Sequence, residues 1–254
     1  MCNGKPDFKI AKSFPAFVSL DADNAFGHAA GFKSIDIGME LANKFGIAAI
    51  SVKNSSHPGA MASFSLKAAR NGFCSFAFTH ADSLIQSFNS KDSFFGTNPI
   101  AFAYPVPGKT PIVYDMATAA MAQGEVQIAA RDGKKVPLGT GLSRNGELTE
   151  DPKKILEGVL LPFGGYKGFA LGSSIDLLLG CIGGSSNASG WEFGNNAQFF
   201  AIKSITKKNT ISYSDIKEYF GEDIPGLAEV NAEEESIKLG VNIDEITANL
   251  LSLN

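Results

Sequence analysis

The amino-acid sequence predicts an α/β protein, in which buried strands alternate with amphipathic helices. Apolar runs of strand length occupy residues 16–20, 47–52 and 73–79. The segments between these runs repeat their apolar residues at helical spacing. The 254 residues, of which 44% are hydrophobic and 19% charged, are typical of a globular chain with a sizeable core.

The first predicted helix begins at His28 and stops before Gly46, a common residue at a helix end. Its apolar positions are Phe32, Ile35, Met39, Ala42 and Phe45. The second predicted helix begins near Pro58, which suits a first helical position, and ends at Gly72. In one interpretation of this stretch, Ser55 or Ser56 is the N-cap of this helix.

The stretch from residue 47 to residue 79 has the pattern strand, helix, strand, which predicts a parallel βαβ unit. The turn "KNSSH" follows the first of these strands, and the turn "THADS" follows the second. Ligands of α/β sheets bind at the carboxyl ends of the strands. We therefore expect His57 and His80 to lie at the same crevice.

Later segments continue the alternation. "TPIVYDMAT" (110–118) predicts a strand that ends near Asp115, and polar residues 131–152 predict a surface excursion. Residues 164–184 predict a helix buried on most sides, in which Gly168 and Gly172 allow another backbone to approach closely. "AQFFAIKSI" (197–205) predicts a strand, and the charged tail from Ser212 predicts helix.

His57 has two interpretations of about equal weight from its local sequence. An imidazole at the carboxyl edge of a strand transfers protons near neutral pH. Alternatively, "SSHP" only begins a helix, and the histidine has no chemical role.

Three other residues leave similar alternatives open. Asp115 closes its strand as an Asx turn, orients an imidazole, or holds a cofactor ribose. Thr118 binds a phosphate or an amide, or caps a turn. Lys167, among glycines at a helix start, attracts an anion or is an ordinary surface lysine. Asp176 is as consistent with a structural role as with a catalytic one, and we interpret His28 as structural.

Composition excludes several classes of function. A net charge of −4 and a pI near 5.4 argue against nucleic acid and acidic membrane surfaces as partners. Cys2, Cys74 and Cys181 have no metal-ligand spacing, so we expect no metal site and no disulfide, and we expect the latter two to be buried. No segment is a signal peptide or is long enough to span a bilayer, which predicts a cytoplasmic protein. The absence of G-x-G-x-x-G disfavours a Rossmann site.

Several motifs together resemble the type 2 malate/L-lactate dehydrogenases, which are NAD(P)H-dependent oxidoreductases. The resemblance rests on six stretches in the order of the family: "GIAAISVKNSSHPGA", "FFGTNPIAFAYP", "YDMATAAMAQG", "VPLGTGLSRNGELTEDP", "LLPFGGYKGFALGSSIDLLLG" and "DIPGLAE". It implies a non-Rossmann, mixed-sheet NAD(P)-binding α/β fold. It also implies one catalytic region over residues 1–254, with a cofactor-binding part at about 55–230, and a homodimer.

The resemblance also implies roles for individual residues. His57 is the expected catalytic proton donor and acceptor for hydride transfer between NAD or NADP and a small 2-oxo or 2-hydroxy acid, such as oxaloacetate/malate or pyruvate/lactate. The expected cofactor-binding residues are His80, Ala81, Asp115, Met116, Ala117, Thr118, Lys167, Gly168, Pro225, Gly226 and Leu227.

The sequence departs from the family pattern at some positions. Ala119 stands where serine is usual, Leu227 where an acidic residue is common, and Pro58 where an aromatic residue is frequent. We also expect the usual N-terminal helical segment, with its "S-H-G" stretch and a basic residue, to be missing. This expectation leaves two alternatives to a malate/lactate-type dehydrogenase: a catalytically silent cofactor-binding or scaffold paralogue, and a reductase of an imine or ureidoglycolate-type substrate.

Overall fold

The computed structural model describes residues 2–86, 92–183 and 196–205, with positions 218, 220, 224–227, 231 and 235. The tail from Ser212 lies almost wholly outside the described residues, so its predicted helix is not addressed by the structure. In chain order the elements are β1 (Lys9–Phe14), β2 (Phe17–Ala25), α1 (Gly27–Phe45), β3 (Ile47–Ser55), α2 (Ala62–Arg70), β4 (Phe73–Thr79), β5 (Ile85–Gln86), β6 (Ser93–Phe95), β7 (Ile100–Tyr104), β8 (Ile112–Met116), α3 (Gln123–Arg131), β9 (Gly141–Leu142), β10 (Leu148–Thr149), α4 (Pro152–Leu156), β11 (Val159–Leu160), α5 (Tyr166–Gly183) and β12 (Asn196–Ser204).

Seven strands form one mixed sheet in the order β1-β2-β3-β12-β4-β7-β8. β2 and β3 are parallel, whereas β12 is antiparallel to both β3 and β4. β3 and β4 therefore run in the same direction, as the predicted parallel βαβ unit requires, but they are not neighbours in the sheet. Phe199 of β12 lies between them and pairs with Ser51 on one side and Phe78 on the other. The carboxyl ends of β3 and β4 still meet at one edge of the sheet.

Helices cover both faces of this sheet. α1 and α2 lie on one face, where Phe64 packs edge-on against Phe200 in the main core. α5 lies on the other face, where Ile175 and Leu179 pack with Ala197. α1 ends at Gly46, which has a left-handed φ of 83°, as the sequence predicted.

The second helix begins later than predicted. α2 starts at Ala62, and residues 56–60 have no regular structure, so Pro58 is not a first helical residue. Gly59 has a φ of 72°, which is outside the right-handed helical region. The chain between β3 and α2 is consequently an irregular turn that carries His57.

A second, five-stranded sheet has the order β10-β9-β11-β5-β6. The polar stretch 131–152 contributes β9 and β10 to this sheet, and Val136 and Leu142 are buried there. The prediction of a mere surface excursion is therefore wrong, because the excursion has a small core of its own with Ile155 and Phe95.

α5 is less buried than its apolar sequence suggested. Leu177 is 61% exposed and Leu178 is 38% exposed, so one side of this helix faces outward. Cys181 is also exposed and Cys74 is half-buried, which corrects the expectation that both are buried; Cys2, Cys74 and Cys181 are free thiols. Among the described residues, no helix combines the length and apolarity needed to cross a bilayer.

Candidate active site

Polar residues collect at the edge where β3, β4 and β8 end and β12 begins. Ser55, the last residue of β3, pairs with Asn196, the first residue of β12. β3 and β8 are four strand positions apart in the sheet, which is about 19 Å at about 4.8 Å per strand. This edge is therefore long enough for an extended ligand.

His57 is exposed on the turn that follows β3. Its Nδ1 accepts a hydrogen bond of 3.0 Å from the backbone N–H of Gly59. A neutral imidazole that accepts at one nitrogen carries its proton on the other, so the neutral ring has an Nε2–H. The ring is thus oriented by its own turn, and it presents a proton donor away from that turn.

The turn before His57 packs on the start of α1. The N–H of Gly27, the first residue of α1, donates to Ser56 Oγ at 2.9 Å. Ser56 therefore satisfies a terminal amide of α1, and the prediction that it caps the following helix is wrong. The contact is close: a Cβ on Gly27 would lie 2.6 Å from the carbonyl oxygen of His57.

Asp115, near the end of β8, supplies the missing acceptor for α2. Its Oδ2 accepts a 2.7 Å hydrogen bond from the N–H of Ala62, the first residue of that helix. A carboxylate at a helix N-terminus is also favoured by the helix dipole. This bond ties β8 to the segment that carries His57, five residues before Ala62.

His80 lies inside the protein, with 0% of its surface exposed. Its Nε2 accepts from the N–H of Ala197 at 3.2 Å, and its carbonyl accepts from Asn196 Nδ2 at 3.0 Å. Burial lowers the pKa of this imidazole from 6.5 to about 4, so the ring is neutral at neutral pH. The imidazole of His80 is therefore not at the surface of the crevice, contrary to the sequence expectation, and it joins β4 to β12.

The residues next to His80 connect the same edge to other elements. Ala81 is 8% exposed, and its N–H donates to Asn98 Oδ1 at 3.1 Å. Asn98 in turn donates to the carbonyl of Gly172 in α5 at 2.8 Å. Asn98 was not singled out from the sequence, because its role depends on α5 lying across the sheet.

Asp82 is a second residue that sequence reasoning missed. Partial burial raises the pKa of its carboxyl group, and the charge of His57 acts in the opposite direction. Asp82 therefore lies within electrostatic range of the imidazole that the turn exposes. Its position two residues after His80, in the polar turn behind a strand, was the only sequence signal available.

The segment 116–118 meets the start of α5. Met116 is 44% exposed and Ala117 is partly exposed, but Thr118 is fully buried. The N–H and the hydroxyl of Thr118 both donate to the carbonyl of Thr97, at 2.8 and 2.9 Å. The Thr118 hydroxyl proton is thus bonded inside the protein, which disfavours the phosphate alternative among those that the sequence left open.

Gly168 lies where α5 contacts this segment. A Cβ at Gly168 would lie 2.6 Å from the backbone nitrogen of Phe163 and 2.7 Å from the carbonyl oxygen of Thr118. The close backbone approach predicted from the sequence is confirmed at this position, and only glycine fits there.

Lys167 is exposed at the start of α5, after two glycines with left-handed φ values of 54° and 63°. The N–H groups of Lys167, Gly168 and Phe169 donate to the carbonyls of Gly164, Phe163 and Gly165. These three amides are occupied, so they are not free to bind an anion together with Lys167. The Lys167 ammonium and the positive end of an 18-residue helix remain available for an anion.

The turn formed by Pro225, Gly226 and Leu227 lies against the free edge of β8. The carbonyl of Pro225 accepts from the N–H of Val113 at 3.3 Å. Gly226 has a φ of 80° and approaches Val113 so closely that a side chain would not fit. The structure therefore places this distant turn two residues along β8 from Asp115, and each of its three residues is partly exposed.

The mixed sheet and its polar edge define an α/β protein of a non-Rossmann kind. The family described as "Malate/L-lactate dehydrogenase" matches residues 1–252, and the chain belongs to this family. The solved structure of Δ1-piperideine-2-carboxylate reductase from Pseudomonas syringae superposes with a TM-score of 0.88 and 29% identity, over 98% of this chain and 80% of that one.

Two curated relatives carry different names. The chain is 38% identical over 192 residues to the Δ1-pyrroline-2-carboxylate/Δ1-piperideine-2-carboxylate reductase of Pseudomonas putida, covering 75% of this chain and 56% of the relative. It is 33% identical over 192 residues to the malate dehydrogenase of Pyrococcus abyssi, covering 72% of this chain and 53% of the relative. The matched region thus spans about half the length of these relatives.

Proposed function

We propose that this protein is an NAD- or NADP-dependent oxidoreductase that transfers a hydride to or from a small 2-oxo or 2-hydroxy acid, such as oxaloacetate/malate or pyruvate/lactate. The observation that supports this most directly is the exposed imidazole of His57, which has its Nδ1 held by Gly59 and its Nε2–H presented outward at the sheet edge. Membership of the malate/L-lactate dehydrogenase family is consistent with it.

In the reducing direction, C2 of the oxo acid gains a hydride and its oxygen gains a proton. The imidazolium of His57 gives its Nε2 proton to this oxygen, and in oxidation the same nitrogen takes the hydroxyl proton. A charged ring has protons on both nitrogens, so Gly59 releases Nδ1 while the ring is charged. After the transfer the neutral ring carries its proton on Nδ1. Because His57 is exposed, solvent adds a proton at Nε2 and removes the proton at Nδ1, which restores the Nε2–H form with its Gly59 bond.

A bound nicotinamide dinucleotide would supply or accept the hydride. The donor set fits its diphosphate, because Lys167 offers an exposed ammonium beside glycines that permit close approach of a ligand. We assign Asp115, Met116 and Ala117, with Ala81 and Gly168, to the wall of the dinucleotide site, and residues 225–227 to its extension along β8. In this arrangement His80 and Thr118 stabilise the residues that line the dinucleotide site.

Reduction of a cyclic imine is a second candidate activity. It is favoured by the Pseudomonas putida relative, whose name gives two cyclic imino acids as substrates. The chemistry differs only in the atom that receives the proton, which is the imine nitrogen in place of the oxo oxygen. The same His57 therefore serves both reactions.

Loss of reduced-nicotinamide absorbance with oxaloacetate, pyruvate and Δ1-piperideine-2-carboxylate tests the proposal and ranks its substrates. We expect turnover by the wild-type chain and a His57→Gln variant that binds reduced dinucleotide normally but turns over at least about a hundredfold more slowly. Full activity of His57→Gln would exclude this residue as the proton donor. Dinucleotide binding without turnover on every acid would instead identify a silent binding paralogue. Light scattering tests the expected homodimer.

A further inference from the structure

We propose that Gln198 is a positioning residue for His57, although it touches neither the imidazole nor any reacting atom. Gln198 lies in β12, which enters the sheet beside β3, and its side chain is 0% exposed. Its amide fixes the backbone from which His57 projects. The inference rests on the proposed role of His57 as the proton donor.

The side-chain NH2 group of Gln198 donates two hydrogen bonds. Nε2 donates to Ser55 Oγ at 2.8 Å and to the carbonyl of Gly27 at 3.2 Å. A carbonyl only accepts hydrogen bonds, so Gly27 determines which way the amide faces. One buried side chain thereby joins the end of β3 to the start of α1.

From these two partners the contacts continue to His57. Ser55 Oγ donates to the carbonyl of Ser56 at 3.2 Å, and the N–H of Gly27 donates to Ser56 Oγ at 2.9 Å. Gly27 also lies directly against the carbonyl of His57. Ser56, immediately before the imidazole, is therefore held at both its carbonyl and its hydroxyl by Ser55 and Gly27, the two residues to which Gln198 bonds.

The side-chain oxygen of Gln198 makes no comparable contact. Oε1 is buried and has no hydrogen-bond partner among the described residues. A buried acceptor without a partner costs free energy, which a methionine of similar length would avoid. Core stability alone therefore does not account for glutamine at this position, whereas its two hydrogen bonds, to Ser55 and Gly27 on either side of the His57 turn, do.

The test compares Gln198→Met and Ser55→Ala with a matched control, Ser51→Ala. Ser51 lies in the same strand as Ser55 and is equally buried, but its hydroxyl has no hydrogen-bond partner among the described residues. The chain has three histidines, so ¹⁵N NMR of the side chains resolves each ring. His80, on the far side of β12, serves as the internal reference.

We expect both network variants to lose the fixed Nε2–H tautomer of His57, because its turn is no longer held, while the His80 signals stay unchanged. We also expect kcat to fall about ten- to a hundredfold at an unchanged KM for the dinucleotide, measured with the best substrate among oxaloacetate, pyruvate and Δ1-piperideine-2-carboxylate. Ser51→Ala should match the wild type in both measurements.

The NMR readout needs no turnover, so it separates this inference from the proposed function. Unchanged His57 ring nitrogens in folded Gln198→Met, or in Ser55→Ala if the first variant does not fold, would overturn the positioning role. Changed ring nitrogens with unchanged kcat would support the positioning role and count against His57 as the proton donor.

Discussion

Replacing Gly27 by alanine tests whether the position of the His57 turn limits turnover. An added Cβ would lie 2.6 Å from the His57 carbonyl oxygen, whereas a carbon–oxygen contact needs about 3.3 Å. The turn must therefore move by at least about 0.7 Å, because the Ser56 carbonyl oxygen lies closer still and the start of α1 is held by the rest of the helix. Misplacement by about 1 Å costs up to about a hundredfold in rate, so we expect kcat to fall about ten- to a hundredfold.

The stability change should be smaller than the change in rate. Overpacking lowers the free energy of unfolding by about 1–3 kcal/mol, whereas the higher helix propensity of alanine raises it by up to about 1 kcal/mol. Gly124→Ala is the matched control, since it also adds a methyl group in the first turn of a helix but meets no atom within 4 Å. Steady-state kinetics and thermal melting measure both variants. A folded Gly27→Ala protein with wild-type kcat would refute the reasoning.

Three further predictions concern other parts of the site. His80 has a pKa of about 4 when folded against 6.5 when unfolded, so the free energy of unfolding should fall by about 3 kcal/mol as pH drops through this range, and urea titrations should show a smaller fall for His80→Gln. Asp115→Ala removes the acceptor for the Ala62 N–H and should cost about 1–2 kcal/mol, or roughly 2–8 °C in melting temperature, measured by circular dichroism. Lys167→Met should weaken binding of reduced dinucleotide about tenfold or more and reduce its salt dependence in fluorescence titrations. The control is Lys33→Met, which removes an equally charged, exposed lysine of α1 and should leave binding unchanged.

The helices and strands were largely predictable because their signals are local. The strand over 73–79 agrees with β4 at both ends, and the stop at Gly46 requires only the left-handed conformation that glycine adopts readily. The turn between β3 and α2 was less predictable. "SSHP" is compatible with a helix start, but Ser56 bonds to a different helix and Gly59 turns the chain away from helical geometry.

The candidate site was predictable as a set of turns, but not as a set of side-chain roles. Asp115 was recognised as a polar residue near a strand end, yet its partner Ala62 lies 53 residues away and is chosen by the packing of α2 on β8. His80 and Thr118 occupy turns of the same kind as His57, but neighbouring elements bury both side chains. Gln198 has no local signal, because its partners lie 143 and 171 residues away.

By itself the sequence determined the alternation of strands and helices and the family. Apolar periodicity and the glycines that end helices are patterns of about ten residues, so they can be recognised in the sequence without knowledge of any tertiary contact. Only the tertiary structure decided that β12 lies between β3 and β4. It also decided which polar side chains are exposed at this edge and which form hydrogen bonds inside the protein. Those outcomes depend on pairing between segments far apart in the chain, and hydrogen bonds of that kind form only when the whole sheet has assembled.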